Sequence, residues 1–216
     1  MKNVDTFLSK SLDNVIRKNL GDNTIHKIEN RLFEKYGISL TESLTQFQKL
    51  DSVLIEYFGA GADGLEEKFF KNMYIIKNVD NKNNENKSTQ LQNGQCITLY
   101  DSTLTGLILE AFGDSDKKKI LTSVLSESKT VYEILKDCEI PQTSGYRKVN
   151  SLINNGLLLI DGFLETQDNK KTNKYRAIFH NLEINIIKDK VTINIQINKR
   201  NIENSSIISA ITRLKS

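Results

Sequence analysis

The first third of the chain carries apolar residues three and four positions apart, which is the spacing of amphipathic helices. From Val4 to Ile16 this pattern predicts a first helix, and Gly21 marks its end. Three more helices are predicted: from about Thr24 to Tyr36, from a cap at Thr41 to about Phe58, and from Leu65 to about Ile76. Residues 78–95 carry almost no apolar side chain, and we interpret them as a flexible linker.

Beyond the linker, helical spacing returns, and a tight turn interrupts it. Apolar residues predict one helix up to Phe112 and another around Ile120 to Leu125. Thr130 and Glu133 then have the spacing of a capping box, which predicts the start of a short helix. Pro141 suits a helix entry, so the next helix is placed at about Gln142–Asn155, with Gly156 after its last turn.

The remainder of the chain is dominated by alternating apolar and polar residues, which predict strands. A buried strand at Leu157–Ile160 and a return strand around Tyr175–Phe179 enclose a polar tip at residues 166–174. Strict alternation from Leu182 to Ile197 predicts a second hairpin joined by Lys188–Lys190. A terminal helix from about Ile202 to Leu214 has an apolar stripe, which could serve a dimer contact or pack on its own domain.

The stretch from Lys117 to Ala177 resembles the winged helix-turn-helix domain of archaeal and bacterial transcription regulators of the broad ArsR/MarR-like kind. The resemblance rests on the turn at Ile140-Pro141, the helix start TSGYRK, the exit NGLL and the basic hairpin. It implies that the helix at 142–155 enters the major groove of double-stranded DNA and that the wing at 165–176 meets the backbone. The implied contacts are Gln142, Thr143, Ser144, Tyr146 and Arg147 near bases, and Lys148, Lys170, Lys171, Lys174 and Arg176 on phosphates.

Two segments of the amino-terminal region carry a second resemblance. Arg31–Leu40 (RLFEKYGISL) and Phe58–Phe69 (FGAGADGLEEKF) are similar to the small helical output-domain family of the Nitrososphaera type, over about residues 10–76. Members are often joined to winged-helix domains, so this resemblance implies a regulator architecture. A protein or small-molecule signal acting through this domain is compatible with that architecture, although no group of polar residues in the sequence identifies such a signal.

The distribution of charged residues along the chain is more informative than the net charge. The formal net charge of the 216 residues is +3, but residues 114–216 contain 17 Lys and Arg against 12 Asp and Glu, whereas residues 1–78 are balanced. The basic excess therefore lies in the half that we expect to bind DNA. No apolar run has the length of a membrane span and no signal peptide is evident, so we expect a cytoplasmic protein without membrane association.

The candidate chemistry is sparse. Cys96 and Cys138 lie too far apart to predict a disulfide framework or a metal-ligand motif, and His26 and His180 fall in different predicted domains. We therefore predict no enzyme activity, no catalytic residue, no metal and no cofactor. Cys138 is interpreted as a buried thiol at a helix end, with a redox sensor as the less favoured alternative.

Together these patterns predict a mainly α protein with a small β component. The expected parts are a helical output-type domain at 1–77, a linker at 78–95 and a winged-helix domain at 96–216 with an extra hairpin and a terminal helix. The expected function is sequence-specific, double-stranded DNA binding in transcription regulation by a homodimer. The alternative is a protein-interaction module that uses a winged-helix scaffold without specific DNA binding.

Overall fold

The computed structural model describes residues 4–71, 73–78, 94–165 and 171–214. Within these ranges the protein is mainly helical with a smaller antiparallel β component, as predicted. The helices are α1 Val4–Leu20, α2 Asp22–Tyr36, α3 Leu40–Leu44, α4 Phe47–Phe58, α5 Ala62–Phe70, α6 Ser102–Gly113, α7 Ser115–Ser123, α8 Val131–Asp137, α9 Gln142–Asn154, α10 Lys199–Glu203 and α11 Ser206–Leu214. The strands are β1 Tyr74–Asn78, β2 Gly94–Leu99, β3 Lys129–Thr130, β4 Leu158–Glu165, β5 Lys171–Ala177, β6 Asn181–Ile187 and β7 Lys190–Asn198.

The amino-terminal helices differ from the prediction at one cap and in the division of one helix. The predicted third helix is divided into α3 and α4, and its cap is Ser39 instead of Thr41. The Ser39 hydroxyl accepts from the Glu42 amide at 3.2 Å, while the Glu42 carboxylate accepts from the Ser39 amide at 2.8 Å. This capping box starts the short helix α3.

The predicted fourth helix is wrong beyond Phe70. Residues Tyr74–Asn78 form the strand β1, which pairs antiparallel with β2. The second hairpin, β6–β7, is confirmed, and it joins β1 and β2 in one four-stranded sheet of order β1-β2-β7-β6. The second sheet contains three strands in the order β3-β5-β4. The predicted linker at 78–95 lies mostly outside the described residues, which contain only its ends, in β1 and β2.

The terminal helix α11 contacts α10 of its own predicted domain, but it packs mainly on α4 and α5 and also on α1 of the amino-terminal segment, which the sequence did not indicate. Its first turn is capped by the buried carboxylate of Asp5, in α1. Asp5 accepts from the Ser206 amide at 2.8 Å, from the Ser206 hydroxyl at 2.7 Å and from the Ile207 amide at 3.3 Å, and it also bonds the Ser205 hydroxyl. These bonds satisfy amides that a helix start leaves without partners.

The last turn of α11 is held by hydrogen bonds from Arg213 to two carboxyl groups. Arg213 donates to Asp51 of α4 at 2.8 Å and to Glu66 of α5 at 2.8 Å. Burial and the nearby Asp51 carboxylate raise the pKa of Glu66 to about 8, which keeps this side chain protonated at neutral pH.

A single cluster of buried apolar side chains runs through both halves of the chain, so the predicted boundary at residue 77 does not coincide with a break in packing.

Candidate nucleic-acid interface

The α8–α9 pair is built by local signals that the sequence displays. The Thr130 hydroxyl accepts from the Glu133 amide at 3.3 Å, and the Glu133 carboxylate accepts from the Thr130 amide at 2.7 Å, so the predicted capping box is confirmed. The turn after α8 contains Glu139, whose φ of 56° lies in the left-handed region. The Ile140 amide then donates to the Leu135 carbonyl at 3.0 Å, which reverses the chain before Pro141.

Gly145 sets how closely α8 and α9 approach each other. A Cβ atom at this position would stand 2.4 Å from Cδ2 and 2.9 Å from Cδ1 of Leu135. Leu135 is buried, so its methyl groups have little freedom to move aside. Any larger residue here therefore has to displace Leu135, and the close crossing orients the opposite face of α9 away from the protein.

That outer face carries the predicted base-contacting residues. Its exposed members are Gln142, Thr143, Ser144, Tyr146 and Arg147, while Val149 and Leu152 face the core. The Ser144 hydroxyl donates to the Pro141 carbonyl at 3.2 Å, so its proton already has a partner within the protein. Asn150 lies on the same exposed face, four residues after Tyr146, and helical periodicity could have added it to the predicted set.

Lys148, which the sequence predicts to contact DNA phosphates, has acidic partners within the protein. Its ammonium group donates to both oxygens of Asp114, at 2.8 and 2.9 Å, and lies 2.9 Å from Asp116. These hydrogen bonds raise the pKa of Lys148 and lower the pKa of Asp114. Because Asp114 also caps α7, Lys148 ties α9 to the first turn of that helix.

The β4–β5 hairpin contains two of the predicted wing lysines, Lys171 and Lys174. The Lys171 ammonium lies 4.7 Å from the centre of the Phe163 ring, a cation–π contact on the exposed part of the hairpin. Lys174 is opposite Thr130 in the register and half-buried, and its charge contributes to lowering the pKa of Glu133, after two hydrogen bonds from Thr130. Lys170 lies outside the described residues.

Arg176 also has a partner that was not predicted. Its Nε atom lies 2.6 Å from Asp161 Oδ2 on β4, a charge contact without the alignment of a hydrogen bond. The guanidinium is therefore partly neutralised within the hairpin. Exposed apolar side chains were missed as well: Phe163 and Leu164 are 55% and 44% exposed on β4.

A shallow cavity of about 510 Å³ borders the start of α9. Tyr132, Lys136, Glu139, Pro141 and Gln142 contribute to its lining. Its walls mix an aromatic ring and an apolar turn with charged side chains of both signs. The cavity adjoins the outer face of α9 at Gln142, so a partner bound there would touch part of the predicted DNA surface.

Within the described residues no three His, Cys, Asp or Glu side chains are grouped closely enough to hold a metal ion. Cys138 is buried at the end of α8, as the sequence indicated. Among the same residues no helix has both the length and the apolar character needed to cross a membrane.

The chain matches no protein-family model, no curated protein and no solved structure. The two family resemblances therefore rest on the quoted residues alone, and any function proposed for the interface rests on its geometry.

Proposed function

We propose that this chain is a sequence-specific, double-stranded DNA-binding transcription regulator of the winged-helix kind. The observation that carries the proposal is the outer face of α9, where five predicted base-contacting side chains are exposed. The close packing of α9 against α8 at Gly145 holds this face in its orientation. The order α7-α8-α9 followed by the β4–β5 hairpin, with β3 paired to β5, supports the same proposal. The basic excess of residues 114–216 lies in this region.

In this proposal α9 lies in the major groove with its first turns against base edges. Arg147 can bond guanine through two parallel hydrogen bonds, and Gln142 can do the same with adenine. Lys171 and Lys174 meet phosphates from the hairpin, and Lys170 extends that set. Lys148 and Arg176 have acidic partners at 2.8 and 2.6 Å, so each has to exchange a carboxylate for a phosphate in order to contribute.

The test compares Arg147→Ala and Lys171→Ala in fluorescence anisotropy with a pool of fragments from the source genome, at several salt concentrations. Arg147→Ala should cost about 1–3 kcal/mol on selected fragments and relax base preference. Lys171→Ala should weaken binding evenly across all fragments and reduce the slope of log affinity against log salt by about one.

The matched control is Lys27→Ala, which removes one exposed charge from α2, a helix that contacts α1, α3 and α4. This variant should bind as the wild type does. Loss of affinity to the same extent in Lys27→Ala and Lys171→Ala would mean that only net charge matters. Absence of salt-dependent binding at low ionic strength by the wild-type protein would refute the proposal.

A protein-interaction module on the same scaffold is the second candidate. It is favoured by the exposed aromatic and apolar side chains of this region, namely Tyr132, Tyr146, Phe163 and Leu164. The internal neutralisation of Lys148 and Arg176 points the same way. In either case the amino-terminal helices are the proposed receiver of a protein or small-molecule signal, and the cytoplasm is the proposed location.

A further inference from the structure

The strand β6 lies at the edge of the four-stranded sheet. Within the described chain, β7 is its only paired strand, so one side of its backbone has no ladder. The Leu182 amide donates to the side chain of the adjacent Asn181, at 2.9 Å. Proteins usually protect such an edge with proline, lysine or a bulge. β6 has seven residues with no proline, lysine or bulge, and Glu183 is its one charged side chain.

The far end of β6 exposes a large apolar surface. Ile186 and Ile187 are 66% and 70% exposed, next to the turn that leads into β7. Leu182, Ile184 and Ile186 face the same side of the sheet as the buried residues Ile193 and Ile195 of β7. The core-facing side of the sheet therefore extends to Ile186, where the apolar side chain is exposed instead of buried.

We propose that β6 pairs with β6 of a second copy of this chain, antiparallel and centred on Ile184, so that the two sheets form one sheet of eight strands. In this register Leu182 stands opposite Ile186 of the second copy, and the apolar side chain at the open end is covered. Glu183 stands opposite Asn185 of the second copy. All seven residues of β6 then have a partner.

The charged residues and the length of β6 favour this register over the neighbouring registers. Opposed side chains in an antiparallel pair share one face, so a register that keeps the faces is centred on a residue, and the nearest alternatives are centred on Glu183 and Asn185. A centre at Glu183 places two carboxylates directly opposite each other, which is destabilising. A centre at Asn185 places Leu182 opposite Lys188, beyond the end of the strand, and leaves Asn181 without a partner.

The test uses Asn185→Lys and Asn185→Glu in the full chain, with the dimer dissociation constant measured by sedimentation equilibrium. In Asn185→Lys, two symmetric pairs between Glu183 and the introduced lysine should tighten the dimer by about 2- to 30-fold. In Asn185→Glu, two like-charge pairs should weaken it by a similar factor. Matched controls are Asn30→Lys and Asn30→Glu on the exposed side of α2, which should leave the constant unchanged.

Opposite shifts of the two Asn185 variants, with no shift in the controls, would establish this register. A protein that remains monomeric at about 100 µM would overturn the proposal, because even a weak micromolar association populates a dimer at that concentration. Equal shifts in both Asn185 variants would overturn the register, and a dimer whose constant neither variant changes would place the interface elsewhere. The outcome is independent of DNA binding, because none of the four variants alters α9 or the β4–β5 hairpin.

Discussion

Substitution of Gly145 by alanine probes the packing that orients α9. In an exposed helix interior, replacement of glycine by alanine stabilises a protein by roughly 0.5–1 kcal/mol. At Gly145 the new Cβ would stand 2.4 Å from Leu135 Cδ2, well inside the ~3.5 Å at which carbon atoms attract each other. Overpacking of this kind costs about 1–3 kcal/mol. We therefore expect Gly145→Ala to lower the free energy of unfolding by about 0–2 kcal/mol after the helix gain is included.

Gly106 in α6 is the matched control, because a Cβ atom there would meet no atom within 4 Å. Gly106→Ala should raise the free energy of unfolding by about 0.5–1 kcal/mol. Urea unfolding followed by circular dichroism measures both variants, provided that the slope with denaturant is unchanged. If Gly145→Ala stabilises the protein as much as Gly106→Ala does, the close α8–α9 crossing is wrong.

A double-mutant cycle makes this test specific to one contact. Leu135→Ala alone should cost about 2–5 kcal/mol, since it leaves a cavity in the core. Combined with Gly145→Ala, the loss should be smaller than the sum of the two, with a coupling of about 1–3 kcal/mol, because the deleted methyl groups make room for the new one. Additive effects would show that residues 135 and 145 do not share the same space.

Two further predictions concern α11. Because the pKa of Glu66 is raised from 4.5 to about 8, only the folded chain holds this proton between those pH values. Stability should therefore fall by up to about 1.4 kcal/mol per pH unit across that window and no further above it, while Glu66→Gln, measured by urea unfolding at each pH, should flatten the decline. Asp5→Ala should cost about 1–3 kcal/mol and speed amide exchange at Ser206, because the α11 cap is lost. The exposed control Asp22→Ala should change stability by less than about 0.5 kcal/mol, and an equal effect of both variants would contradict the capping role of Asp5.

The sequence predicts those elements whose signals are local. The capping box at Thr130, the proline before α9 and the left-handed Gly156, with a φ of 72°, each specify an element boundary within a few residues. The outer face of α9 follows from the same periodicity that identifies its core face. Strand β1 was missed because its partner β2 lies beyond residues 79–93, and pairing with distant residues overrides the local helical pattern.

The partners of the predicted phosphate ligands could not be read from the sequence. Lys148 and Asp114 are 34 residues apart, and only the packing of α7 on α9 brings them together. The same holds for α11, whose apolar stripe indicates burial without saying against which helix. A stripe specifies that a face will be covered, whereas the covering partner depends on the whole topology.

The cap that Asp5 provides for α11 has a consequence for the synthesis of the chain. Asp5 is separated from Ser205 by 200 residues. At translation rates of about 5–20 residues per second, roughly 10–40 s pass between the emergence of the carboxylate and that of its partners. During that interval α1 carries the Asp5 carboxylate on the face that it later buries, which disfavours premature burial of that face against α3 and α5. We therefore expect the amino-terminal helices to complete their packing only when α11 is present, since the Asp5 carboxylate bonds Ser205 and Ser206 at its start.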